Sequence, residues 1–428
     1  MAVVKPFKGL RFQKSAGPIE ELVCPPYDII SEEQRHKFLA TNEHNVIRLE
    51  LPKEGDDIYK KAGEVLSNWL DDNIVSLENE DKFYVYEEEF EALGNQYKIK
   101  GIFAKVRIEE FEKGVVLPHE ETLSKAKQDR FDLMCATHCN FSPIYCMYTD
   151  EKREITSIID SMSKDAPEIE FTAKDGVIQR LWKSEDEQIN GKVESLFKDK
   201  QLFIADGHHR YETALRFRNK LRDEGVIVDE NHPANFIMMF LIDMENDGLV
   251  VFPTHRMITD LDSFNTEKAL DGMKEYFDVE QIKESEIDEK LAMLVNKKAN
   301  VLVSPDGEFY LSVMKDSAKE KLSKMNPDKS EAYKGLDVTV LHSLILENIL
   351  GIDKENMAKQ INLKYTRDKD EAINSVKTGK ANCAFIINPT KVTEIKDVAL
   401  AGEKMPQKST YFYPKLITGL VMNLLSLY

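Results

Sequence analysis

No stretch of this 428-residue chain is apolar for the length that a membrane-spanning helix needs, so a spanning protein is not expected. The first residues, Met1-Ala2-Val3-Val4-Lys5-Pro6, lack the apolar core of a secretion signal. Cysteine is scarce. Five are scattered at positions 24, 135, 139, 146 and 383, an odd count too dispersed for a disulfide framework. Cys135 and Cys139 share a helical i,i+4 spacing, but a lone pair of that kind seldom makes a zinc site. Structural thiols and a reducing cytoplasm are the expectation. Positive charge is in deficit: 58 Lys and Arg stand against 76 Asp and Glu, a net charge of −18. That balance repels a nucleic-acid backbone. There is no Walker loop, no Rossmann glycine fingerprint and no Gly-x-Ser-x-Gly elbow, and Gly101, Gly114 and Gly207 stand isolated. No internal repeat or low-complexity tract is present.

What is there is an ordinary globular composition, long enough for two or three domains. Residues 1 to 30 read as an extended entry segment that ends in Cys24-Pro25-Pro26-Tyr27-Asp28. Ser31 then caps a helix, and apolar spacing predicts another over 56 to 72. A hairpin is expected from 82–90 and 96–108 around Gly94-Asn95, followed by a helix to about His138 and a strand from Phe141 to Tyr148. Residues 151 to 198 read as a helical, polar and acidic insertion. A second hairpin is expected from 234–242 and 248–253. From about 261 the pattern turns to alternating helices and short strands, with strands near 300–303, 309–313 and 384–387. An apolar helix is expected over 338–350, and another from Leu416 to Leu427. The expectation is an α/β (α+β) fold with regions 1–260 and 261–428.

The strongest functional signal is Leu202 to Leu215. It reads as a buried strand, a tight turn at Asp206-Gly207, and a helix opened by His208-His209-Arg210. Free N–H groups and the dipole at a helix start favour an anion, and Arg210 adds a planar cation suited to phosphate. A plain helix cap would need only one of these five polar residues. A second segment is Pro118-His119-Glu120-Glu121-Thr122, followed by Lys125, Lys127, Asp129 and Arg130. Glu120 beside His119 can act as a general base or hold a metal, and Lys127 and Arg130 at i,i+3 can face one anion. An acidic first helical turn with a solvated charged face explains the same residues. His119-Glu120 is not the zinc motif His-Glu-x-x-His, because position 123 is Leu. The tail residues Lys408, Ser409, Thr410 and Lys415 suit phosphate, or serve as an ordinary linker. His255-Arg256, Asp28 and His342 carry weaker signals, and His342 in an apolar helix reads as a core histidine.

Together these motifs resemble two known groups. The order of Pro118-His119-Glu120, the strand Ser142-Pro143-Ile144-Tyr145 and Asp206 to Tyr211 is similar to the ParB/sulfiredoxin-like fold, above all its free-serine kinase branch. That resemblance covers about residues 100 to 220 and implies a core carrying a large insertion, with a further C-terminal α/β region. It implies Glu120 as catalytic base on a serine hydroxyl, with His119, Asp206 and His209 beside the chemistry. It also implies a phosphate turn formed by Gly207, His208 and Arg210. Over nearly its full length the chain resembles the family called domain of unknown function 1015. The matching runs include Pro25-Pro26-Tyr27-Asp28, Asn45-Val46-Ile47-Arg48, Lys127-x-Asp129-Arg130, Asn140-x-Ser142-Pro143-Ile144, Pro253-Thr254-His255-Arg256 and Met405 to Lys415.

The expectation is a small-molecule kinase using ATP or ADP and Mg²⁺, the ion partnered by Asp206, with free serine or a similar hydroxylated metabolite as acceptor. The alternatives are a nucleotide hydrolase or switch of the ParB type, a nuclease, which the net charge disfavours, and a non-enzymatic scaffold. No nucleic-acid or membrane partner is expected.

Overall fold

The longest apolar run, Phe236-Ile-Met-Met-Phe-Leu-Ile-Asp243, shows no alternation and is buried at every position, as a strand covered on both faces must be. It lies inside a nine-stranded mixed sheet. The strands are β1 (Val4–Lys5), β2 (Tyr84–Ala92), β3 (Asn95–Arg107), β4 (Val116–Leu117) and β5 (Ile144–Tyr148). They continue with β6 (Ile169–Thr172), β7 (Ile178–Lys183), β8 (Leu202–Asp206) and β9 (Phe236–Asp243). Their order across the sheet is β4-β8-β5-β9-β3-β2-β7-β6, with β1 also paired to β3. The structure is a computed structural model that describes residues 2–122, 124–184, 186–227, 229–262 and 264–425, without the side chains of 124–126. Lys125 and Leu427, both named above, lie outside what is described.

The fold is mixed α/β, and the chain divides into two compact units. The first holds Met1–Pro118, Thr122–Val250 and Pro414–Tyr428; the second holds His119–Glu121 and Val251–Tyr413.

In the first unit the hairpin β2–β3 pairs Ala92 with Asn95, so its two-residue loop is Leu93-Gly94. Both have positive φ, 51° and 75°, the geometry that twists a tight hairpin correctly. The helix Glu32–Thr41 starts on a capping box in which Ser31 and Gln34 satisfy each other's backbone N–H groups. The helix Ile58–Asp71 buries Ala62, Leu66 and Trp69 at the expected spacing.

Three expectations are corrected here. Residues 151–198 are not a helical appendage. Between helices Glu154–Met162 and Glu187–Phe197 they form β6 and β7, and β7 pairs with β2 to widen the main sheet. Buried Phe171 lies between Glu170 and Thr172, and buried Gln179 and Leu181 flank Arg180, a short period-two signal masked by the overall acidity. The second expected hairpin does not form either: β9 runs parallel to β5 and antiparallel to β3, while Val250–Val251 pairs with Phe412–Tyr413. Last, residues 416–425 are extended, not helical. Met422 exchanges backbone hydrogen bonds with Leu10, Thr418 with Cys24, and Asn423–Leu424 pairs with Cys139–Asn140. A short apolar run buried on all sides carries no periodicity to separate the two states.

The second unit is built on a six-stranded antiparallel sheet. Its strands are β10 (His255–Ile258), β11 (Phe277–Ile282), β12 (Ala299–Val303), β13 (Phe309–Met314), β14 (Leu363–Thr366) and β15 (Cys383–Ile387). The order is β11-β13-β12-β15-β10-β14. The apolar helix near 338–350 packs against it as a helical turn, Asp337–Val340, that widens into a π-helical stretch, Leu341–Glu347. Among the described residues no helix is long and apolar enough to cross a membrane.

Candidate functional site

In the first unit, β8 delivers Asp206 at its end, and Gly207 turns the chain with φ 92° into the helix His208–Asp223. That conformation suits glycine. The glycine also makes room, because a Cβ there would stand 3.0 Å from Arg210 Nε and Nη2. Arg210 folds back over the turn. Its Nη2 pairs with Asp206 Oδ2 at 2.9 Å and its Nη1 donates to the Pro143 carbonyl. Lys415 arrives from the far end of the sequence and places Nζ 2.5 Å from Asp206 Oδ1. Burial pushes the Asp206 carboxyl up, but Lys415, Arg210 and His208 outweigh it and hold the group down at about 2. His208 is buried at the first helical position, where backbone N–H groups have no helical acceptor.

Beside this turn lies a cluster that sequence reasoning did not single out. Glu50 is buried, accepts a 2.6 Å hydrogen bond from Ser142 Oγ, and faces Arg130 at 3.8 Å. Burial pushes its carboxyl up, against the pull of Arg130 and Ser142. A cavity of about 50 Å³ is lined by Glu50, Arg130, Ser142, Arg210 and Thr213, among others. The Arg130 guanidinium stacks 4.1 Å from the centre of the Tyr27 ring. The runs Pro25 to Asp28, Lys127 to Arg130 and Asn140 to Ile144 therefore meet around Glu50 through Tyr27, Arg130 and Ser142. Glu50 lies two residues beyond the run that ends at Arg48, and that proximity was the only sequence signal for it.

Lys127 and Arg130 do not face one anion. Lys127 Nζ pairs with Glu212 at 2.8 Å, and Arg130 pairs with Asp129 at 2.6 Å and donates to the Glu50 carbonyl at 2.7 Å. Helical spacing brings their Cα atoms to one side, but each side chain finds a nearer carboxylate.

The remaining expected site residues belong to the second unit. His119 Nε2 lies 3.0 Å from Thr410 Oγ1, its carbonyl accepts from the Met405 N–H at 2.8 Å, and Glu120 bridges to Met405. Ser409 donates to the Pro406 carbonyl and accepts at its own carbonyl from Thr390. Lys408 adopts φ 56° and its carbonyl accepts from Arg256. The segment His119–Glu121 is thus fastened to the stretch 405–410, while Asp206, Gly207, His208, His209, Arg210 and Lys415 belong to the first unit.

Mg²⁺ was expected with Asp206 as partner. Both Asp206 oxygens are committed to cations, and among the described residues no three His, Cys, Asp or Glu side chains cluster as a metal site would require. A Mg²⁺ bridging nucleotide phosphates would need only one or two protein carboxylates, and Asp206 would have to give up one of its two cations to serve as that partner.

A mixed α/β protein with a strand–turn–helix whose Asp206 is paired with Arg210 and Lys415 is what fold and site define. The chain belongs to the family described as protein of unknown function DUF1015, whose model matches residues 4–339. Among solved structures it is similar to a free serine kinase in complex with AMP, at 14% identity over 73% of this chain and 86% of that one, with a TM-score of 0.33. It is also similar to a conserved hypothetical protein from Pyrococcus furiosus, at 15% identity over 73% of this chain and 90% of that one, TM-score 0.33. A third is the C-terminally truncated SbnI from Staphylococcus aureus, at 11% identity over 74% and 86%, TM-score 0.35. No curated protein matches the chain.

Proposed function

We propose that the protein is a small-molecule kinase that moves the terminal phosphoryl group of ATP or ADP to the hydroxyl of free serine or a similar metabolite. The observation that carries this reading is the Asp206–Arg210 turn, where Arg210 and Lys415 are both held on Asp206 at the open end of a helix. Two cations positioned beside backbone N–H donors suit the charge of a nucleotide phosphate. Phosphoryl transfer asks mainly for positioning and charge neutralisation, which a turn can supply without a dedicated nucleophile.

In this reading the acceptor oxygen attacks the terminal phosphorus, its proton passes to the Glu120 carboxylate, and the bond to the bridging oxygen breaks. The leaving nucleotide carries away the electron pair. The contact of His119 with Thr410 and the backbone bridge of Glu120 to Met405 support a base carried on an anchored backbone. His208 and His209 open the helix that follows the turn, which supports placing them beside the phosphates.

The test is incubation of the purified chain with labelled ATP, and separately ADP, and a panel of hydroxylated metabolites including serine. A phosphomonoester product is expected from one acceptor. Glu120→Gln should cut turnover by roughly a hundred- to ten-thousandfold while nucleotide affinity holds. Release of inorganic phosphate at a rate indifferent to acceptor would replace this reading with the hydrolase. Absence of any nucleotide binding would leave the scaffold.

A further inference from the structure

His342 reads from sequence as a core histidine and His255-Arg256 as a weak site signal, yet Arg256 and His342 together leave a charge unanswered. Arg256, on β10, is fully buried. It donates from Nη1 to the Thr254 carbonyl, from Nη2 to the Lys408 carbonyl at 3.2 Å, and from Nε to His342 Nε2 at 3.3 Å. Its guanidinium lies 5.4 Å from the centre of the Tyr365 ring. All these partners are neutral. A buried cation without a counter-charge is costly, and burial pulls the Arg256 pKa down to about 10.

The contact also fixes the histidine. Arginine only donates, so His342 must accept at Nε2, and the neutral ring carries its proton on Nδ1. Burial and the Arg256 charge keep His342 neutral, well below the usual range. His342 and Ser343 sit in the π-helical stretch, a distortion often found at functional sites, and both line a cavity of about 320 Å³. Ser343 Oγ accepts from Asn326 Nδ2 at 3.0 Å, which leaves its own proton to give. The wall carries Lys329, Lys354 and Lys404 against Glu121, Asp328 and Glu347, with Lys329 also paired to Glu403 at 3.8 Å, whereas the contacts of Arg256 named above are all neutral.

We propose that this cavity in the second unit is a binding site for a small organic oxyanion, received by His342 Nδ1–H and the Ser343 hydroxyl with Arg256 as the counter-charge behind them. The shared chemistry is a carboxylate or a phosphate on a body that fits the cavity. The site stands independently of the nucleotide reading.

The experiment uses the full chain carrying Arg210→Ala, so that the turn at Asp206 does not report phosphate. Inorganic phosphate and succinate are titrated separately at constant ionic strength, with the His342 ring followed by ¹⁵N-histidine NMR and affinity by calorimetry. A saturable shift of the His342 resonance is expected with at least one probe; phosphate alone or succinate alone names the source. His342→Gln should weaken that binding at least about tenfold, as loss of a hydrogen bond to a charged group does. Ser343→Ala, a smaller change, should weaken it in the same direction if the glutamine variant fails to fold. No saturable shift up to about 10 mM of either probe, or unchanged affinity in Ser343→Ala, overturns the proposal.

Discussion

Asp206 is held by two cations from opposite directions, and the pairing has a pH signature. Its folded value of about 2 lies below its ordinary value of 3.8, so the stability it contributes is present above about pH 4 and lost as the pH falls through 2. Lys415→Met should therefore destabilise the protein by on the order of 2 kcal/mol at about pH 6, with the gap to the parent closing toward pH 2. Thermal melts across that range read it, and a pH-independent gap would show that the pair contributes nothing. Arg210 has a separate readout. A charge-assisted phosphate contact is worth about 1.5–3 kcal/mol, so Arg210→Ala should weaken nucleotide binding roughly ten- to a hundredfold with the fold intact, measured by titration calorimetry. Unchanged affinity would remove the phosphate turn.

Among the elements, β2 carries an odd passenger. Glu88 is fully buried in the sheet, its Oε1 accepts from the Tyr86 hydroxyl at 2.7 Å, and that hydroxyl also meets Gln179 of β7. Burial pushes the Glu88 carboxyl up to about 8, so the native state holds a proton that the unfolded chain releases near its ordinary 4.5. Its contribution is complete below about pH 4.5 and declines as the pH rises through 8, by at most roughly 1.4 kcal/mol per unit. Glu88→Gln should flatten that decline, matching the parent at low pH and exceeding its melting temperature near pH 8. Equal pH slopes in the two proteins would refute it. The same strand explains what the sequence concealed. Tyr84 to Ala92 announces a strand by its aromatics, but its partner β7 lies among acidic residues whose charge reads as solvated surface. The turn at Gly207 was legible because strand, glycine and polar helix start are consecutive. Glu50 was not, since Ser142 and Arg130, the groups that define its role, come from segments about ninety residues away. Lys415 stood out in sequence as a candidate site cation, but its pairing with Asp206 was not legible, because the bond spans more than two hundred positions.

Across the whole molecule the thiols give a global check. Cys24, Cys139, Cys146 and Cys383 are buried and Cys135 is partly exposed, all of them free. Burial pushes each thiol up, so none is primed for attack. A thiol reagent should label Cys135 first and the other four only as the chain opens, and a reductant should leave the melting temperature unchanged. Rapid labelling of two or more thiols in the native protein would contradict this packing. The division into units also has an order in time. The second unit is spliced into the sequence of the first, whose closing segment, with Lys415, Thr418 and Met422, is synthesised only after the second unit. Leu10 and Cys24 must wait for backbone partners roughly four hundred positions downstream, and such distant pairings are slow to form. On the ribosome, then, the first unit closes only after the second has emerged, and Asp206 stands without its lysine until that insertion has been made.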